Sequence, residues 1–97
     1  QTIADGLQTQ QPGVLTFAIV RGHARAVLTV TDDELRAAMR FAFERLKLVV
    51  EPSGAAALAA VMGHHLPQRY RRVGVVISGG NVDPERYAEL LAPSPRA

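Results

Sequence analysis

Cysteine is absent from this sequence, which excludes a disulfide framework and any thiolate-ligated zinc site. Tryptophan is absent too, and lysine occurs once, as Lys47, against ten arginines. No apolar run approaches the roughly 20 residues of a membrane-spanning helix, no secretory signal is read at its start, and no internal repeat or low-complexity segment appears. A cysteine-free chain without such segments fits a cytoplasmic protein with no membrane partner. Neither a P-loop nor a GxGxxG fingerprint is present, and no Ser, His and Asp stand at a spacing that marks a nucleophilic triad. The formal net charge of +2 is spread thinly. Its densest point, Arg69, Arg71 and Arg72 beside Tyr70, reads as solvated loop ahead of a strand, so nucleic acid is not an expected partner. His64 and His65 follow Gly63 at a helix end with no third ligand near in sequence, and His23 is isolated, so no metal site is expected.

What is present is a short, apolar chain, with 47% of its 97 residues hydrophobic. At this length only about two-thirds of the unfolded surface can be buried. Motif-like sequence begins at Thr2, one residue after a start at Gln1, and the chain reads as a piece of a longer polypeptide.

Residues 1–13 carry Gly6, Pro12, Gly13 and four glutamines and read as loop. Residues 15–21 could form a short helix stopped at Gly22, and residues 26–30 read as a buried strand. Thr31 and Glu34 have capping-box spacing, and Leu35, Ala38, Met39, Ala42, Phe43 and Leu46 follow at helical intervals, which predicts an amphipathic helix on a core. Pro52 suits a first helical turn and Gly63 a stop; the segment between them is small and apolar all round, so it calls for burial on several sides. Residues 73–77 read as a second buried strand, followed by the turn Ser78-Gly79-Gly80-Asn81 and a last helix capped by Asp83 with Pro84 at its first position. Apolar strands alternating with helices predict an α/β fold with a parallel sheet covered by helices, spanning residues 1–92, with 93–97 as a tail.

Ligands in such sheets collect beyond the carboxyl ends of the strands, where the Ser78–Asp83 turn would lie. Two readings stand side by side there: a turn that needs glycine for its geometry, or a cradle in which Gly79 and Gly80 allow close backbone approach and Ser78 offers its hydroxyl. Glu51 follows the apolar pair Val49 and Val50, where a carboxylate either meets free N–H groups at a helix start or serves a site. Asp5 with Gly6 is locally a turn signal.

Taken together, Thr2-Ile3-Ala4-Asp5-Gly6, Glu51-Pro52-Ser53-Gly54-Ala55 and Ser78-Gly79-Gly80-Asn81-Val82-Asp83 resemble, in order and separation, the fold-type II pyridoxal-phosphate enzymes of the threonine dehydratase and serine racemase group. The segment Thr29-Val30-Thr31-Asp32-Asp33-Glu34 resembles the same group. The resemblance implies a portion of the cofactor-binding large domain, with pyridoxal 5'-phosphate as cofactor. It implies that Ser78 meets the pyridine nitrogen, that Glu51 lies near the ring, that Gly6 lines the pocket and that Gly79 lets the ring approach. A neutral hydroxyl at the nitrogen leaves the ring a weaker electron sink than a carboxylate would, which suits β-elimination. The implied reaction removes water from serine or threonine, giving ammonia and a 2-oxo acid; serine racemisation is the alternative. The Schiff-base lysine, the phosphate loop and the metal ligands of that group belong upstream, and Lys47 stands in no such motif. No catalytic base and no metal ligand is therefore assigned here, and these residues alone are expected to be inactive. A homo-oligomeric parent with a small amino-acid substrate is implied, and a non-catalytic binding or assembly module is the competing reading.

Overall fold

The computed structural model describes residues 2–93, so from residue 94 onward the expected tail lies outside the described residues. Among the described residues four α-helices carry the structure: α1 (Val14–His23), α2 (Asp32–Phe41), α3 (Ala56–Met62) and α4 (Pro84–Leu91). α2 forms as its sequence dictates. The Thr31 side chain accepts from the Glu34 N–H at 3.1 Å, and Glu34 Oε1 accepts from the Thr31 N–H at 2.9 Å. Two donors that a helix start would otherwise leave free are thereby satisfied. At α4, Asp83 accepts from the Arg86 N–H at 2.9 Å, with Pro84 opening the helix.

The core is built around α2. Leu35, Ala38, Met39 and Ala42 are buried with Val50, Ala55, Ala59 and Leu90, so α2 packs against α3 on one side and α4 on the other. Arg40 Nη1 donates to the Leu91 carbonyl at 2.8 Å and satisfies the end of α4. The expected apolar stripe does not continue through Phe43 and Leu46, which remain exposed. The cause is a π-helical turn at Ala42–Leu46, which adds residues per turn and rotates those positions off the core face. It closes with Lys47 in the left-handed region at φ 59°. Phe43 finds a partial partner in Tyr87, edge to face at 6.0 Å.

Two further expectations need correction, the end of α1 and the two strands, whereas the stop of α3 holds. α1 does not stop at Gly22 but runs to His23, and it buries none of its residues. α3 ends as expected at Gly63, and the following His64 is left-handed, at φ 59°. The His65 N–H then reaches the Ala60 carbonyl at 3.0 Å. Finally, no strand forms among the described residues, at 26–30 or at 73–77. Both segments line one open, apolar groove of about 710 Å³. Segments parted by a groove cannot exchange the hydrogen bonds of a parallel ladder, so neither becomes a strand, and Val27 and Val76 stay 84% and 77% exposed.

Candidate functional site

The turn at residues 51–55 is the hub of the candidate site. The buried Pro52 sets φ at −54°, and the Ala55 N–H donates to the carbonyls of Glu51 and Pro52 at 3.0 and 3.1 Å. A single 3-10 turn, Ser53–Ala55, then leads into α3. Two other motifs meet this hub. The Glu51 N–H donates to the Gly79 carbonyl at 3.1 Å, which joins it to the turn after residue 77. The Gly6 N–H donates to Ser53 Oγ at 3.0 Å, which joins it to the single 3-10 turn Asp5–Leu7.

Glycine is required where these backbones touch. A Cβ at Gly54 would stand 2.5 Å from the Gly79 carbonyl oxygen, and one at Gly80 would stand 2.2 Å from that of Val49. Gly79 differs, because its missing Cβ faces Glu51 Oε1 at 2.9 Å and not backbone. Its bare edge therefore lies beside a carboxylate. Glu51 is half-buried, whereas Ser78 and Gly6 are exposed.

The structure thus brings Glu51 and Gly79 into direct contact, sets Ser78 next to them along the chain, and reaches Gly6 through Ser53. Asp5 is exposed, with the Gln8 amide 3.4 Å from its carboxylate. A small cavity of about 50 Å³ lies between Asp5, Glu51, Asn81 and Arg86. Two residues escaped the sequence reading. Ser53 sits 47 positions from its partner, and nothing local to Pro52-Ser53-Gly54 signals that pairing. Asp32 reads in sequence as a helix-start charge, yet its carboxylate also accepts from the Thr2 hydroxyl and, at 3.3 Å, from the Ile3 N–H, holding the first motif to α2.

His65 takes a structural part. His65 Nε2 meets Glu34 Oε2 at 2.7 Å, tying the end of α3 to the start of α2. First the Thr31 N–H and then the His65 side chain hold the Glu34 carboxyl below its ordinary range. Arg69 lies over the Tyr70 ring at 4.8 Å on an exposed loop.

Residues 1–79 match the family described as pyridoxal-phosphate dependent enzyme. The chain belongs to that family. Pyridoxal 5'-phosphate is accordingly the cofactor of the full-length enzyme. Among relatives of this pyridoxal-phosphate enzyme chain, an L-threo-3-hydroxyaspartate ammonia-lyase from a Pseudomonas species is 52% identical over 92 residues, covering 93% of this chain and 28% of the relative. A serine racemase from Schizosaccharomyces pombe is 46% identical over 92 residues, covering 95% and 28%. The solved serine racemase of Dictyostelium discoideum superposes with a TM-score of 0.80 at 45% identity, covering 86% of this chain and 28% of that one. A solved threonine deaminase from T.th. gives 0.76 at 45% identity, covering 86% and 28%. The chain therefore spans 28% of the length of these relatives.

Proposed function

We propose that this chain is the C-terminal part of the cofactor-binding large domain, residues 1–92, of a pyridoxal-phosphate-dependent ammonia-lyase acting on a small β-hydroxy amino acid. The net reaction converts serine or threonine into ammonia and the 2-oxo acid of the same carbon skeleton. The observation that carries this reading is the contact between Glu51 and Gly79, because it sets a carboxylate beside a bare backbone edge in the residue that follows Ser78.

That arrangement fits a flat heteroaromatic ring. A Cβ at Gly79 would crowd Glu51 Oε1, at 2.9 Å, and Ser78 supplies a neutral group able to donate to or accept from a ring nitrogen. When bound, the cofactor supplies a conjugated ring that withdraws electrons from the substrate. Ser78 would then orient the ring and, being neutral, would leave its nitrogen less protonated than a carboxylate partner would. Glu51 stands beside the ring, and Gly6 completes the same wall. The remainder of the polypeptide supplies the lysine that holds the cofactor and the strands that complete a parallel sheet across the groove between 26–30 and 73–75. These residues alone are inactive, and the whole enzyme is a cytoplasmic homo-oligomer.

Serine racemisation is the second reading, favoured by the identity to serine racemases. Both readings need Ser78 at the ring. In the full-length enzyme, Ser78→Ala is expected to weaken cofactor retention about two- to tenfold, the effect of one hydrogen bond. Ser78→Asp is expected to favour the protonated ring nitrogen and to change both the absorption spectrum and the product ratio. If spectrum, affinity and product ratio match wild type in both variants, Ser78 is a turn residue only and the site assignment fails.

A further inference from the structure

We propose that Ser53 is a positioning residue of the cofactor pocket, its hydroxyl oxygen fixing Gly6 against the junction of Glu51 and Gly79. The inference rests on the reading of Gly6, Glu51 and Gly79 as pocket residues given above.

Ser53 is held from behind. The turn that carries it is closed by the Ala55 N–H on the carbonyls of Glu51 and Pro52, and the neighbouring Gly54 lies against the Gly79 backbone. Its Oγ therefore projects from the most constrained part of the site. The partner has no such support of its own. Gly6 sits in an exposed 3-10 turn of three residues, too short to hold a fixed place unaided. Its segment is tethered at two points. Asp32 grips the start through Thr2 and Ile3, and Ser53 grips the site end through the Gly6 N–H at 3.0 Å. Close approach needs glycine here as well, since a Cβ at Gly6 would stand 2.9 Å from Ser53 Oγ. Removing the hydroxyl frees the site end and leaves the Asp32 grip in place. The fold should then survive while the pocket wall loosens.

The test uses the full-length enzyme, as wild type, Ser53→Ala and Ser53→Thr. Hydrogen exchange of the peptide containing Gly6 is expected to be about two- to tenfold faster in Ser53→Ala, and cofactor affinity to fall by a similar factor. The bound-cofactor absorption should change with it, and the melting temperature should stay near that of wild type. Ser53→Thr keeps the acceptor oxygen and should restore exchange, affinity and absorption. Should Ser53→Ala not fold, Ser53→Cys gives the same comparison with a weak acceptor in nearly the same volume. Wild-type exchange in the hydroxyl-free variant overturns the proposal, as does faster exchange with unchanged cofactor affinity and absorption. A wild-type enzyme that binds no pyridoxal phosphate would instead overturn the reading of the pocket itself.

Discussion

The Glu51 N–H donates to the Gly79 carbonyl, and the carboxylate of the same Glu51 reaches the position where Gly79 would carry a Cβ. One residue thus holds the backbone of the Ser78–Asn81 turn and presents its charge beside it. Glycine at 79 and glycine at 80 therefore have different tasks.

Alanine substitutions separate those tasks. In Gly80→Ala the new Cβ meets the Val49 carbonyl oxygen at 2.2 Å, and backbone cannot move aside cheaply. The expected cost is about 1–3 kcal/mol of stability, read as a lower melting temperature. In Gly79→Ala the obstacle is the end of the flexible Glu51 side chain, at 2.9 Å. Stability should hardly change, whereas cofactor affinity in the full-length enzyme should fall. Equal melting losses in the two variants would show that Glu51 is as fixed as backbone.

Tyr87 offers a test of the core. Its hydroxyl is buried without a hydrogen-bond partner among the described residues, and burial pushes its ionisation upward. Tyr87→Phe removes the orphaned group and keeps the ring that meets Phe43 edge-on. The variant should be more stable than wild type by about 1 kcal/mol, because an unsatisfied buried hydroxyl is costly. A clear loss in thermal or denaturant unfolding would reveal a partner for that hydroxyl.

The start of α2 should respond to acid. The folded value of the Glu34 carboxyl is depressed by the Thr31 N–H and by His65, so the unfolded state takes up its proton first as pH falls. The stabilisation is fully present above the ordinary glutamate value of about 4.3 and is lost as pH falls through the lower folded value. Glu34→Gln keeps an acceptor for the Thr31 N–H and should remove this acid dependence. A carboxyl titration of Glu34 by NMR checks it, and a midpoint equal to that of an unfolded peptide would contradict it.

The capping box at Thr31 and Glu34, the Asp83 cap and the α2 core face were legible because each depends on residues within a few positions of one another. The rotation of Phe43 and Leu46 off that face was not, since the π-helical turn that causes it has no short-range signature. The segments 26–30 and 73–77 have the composition of buried strands, but pairing depends on what lies alongside them, and composition is silent about that. At the site, Glu51, Gly79 and Gly6 could be singled out from their motifs. The Ser53 and Asp32 contacts that join those motifs span 47 and about 30 positions, and only the folded backbone brings them together.

The most direct test of the proposed chemistry is the product formed by the full-length protein, loaded with pyridoxal phosphate and offered L-serine, L-threonine and L-threo-3-hydroxyaspartate. Equal amounts of 2-oxo acid and ammonia are expected from at least one of them. The yield should vanish when the cofactor is stripped and should drop steeply in Glu51→Gln while its melting temperature holds. A cofactor-loaded protein that releases no 2-oxo acid from any of the three would contradict the assignment as an ammonia-lyase.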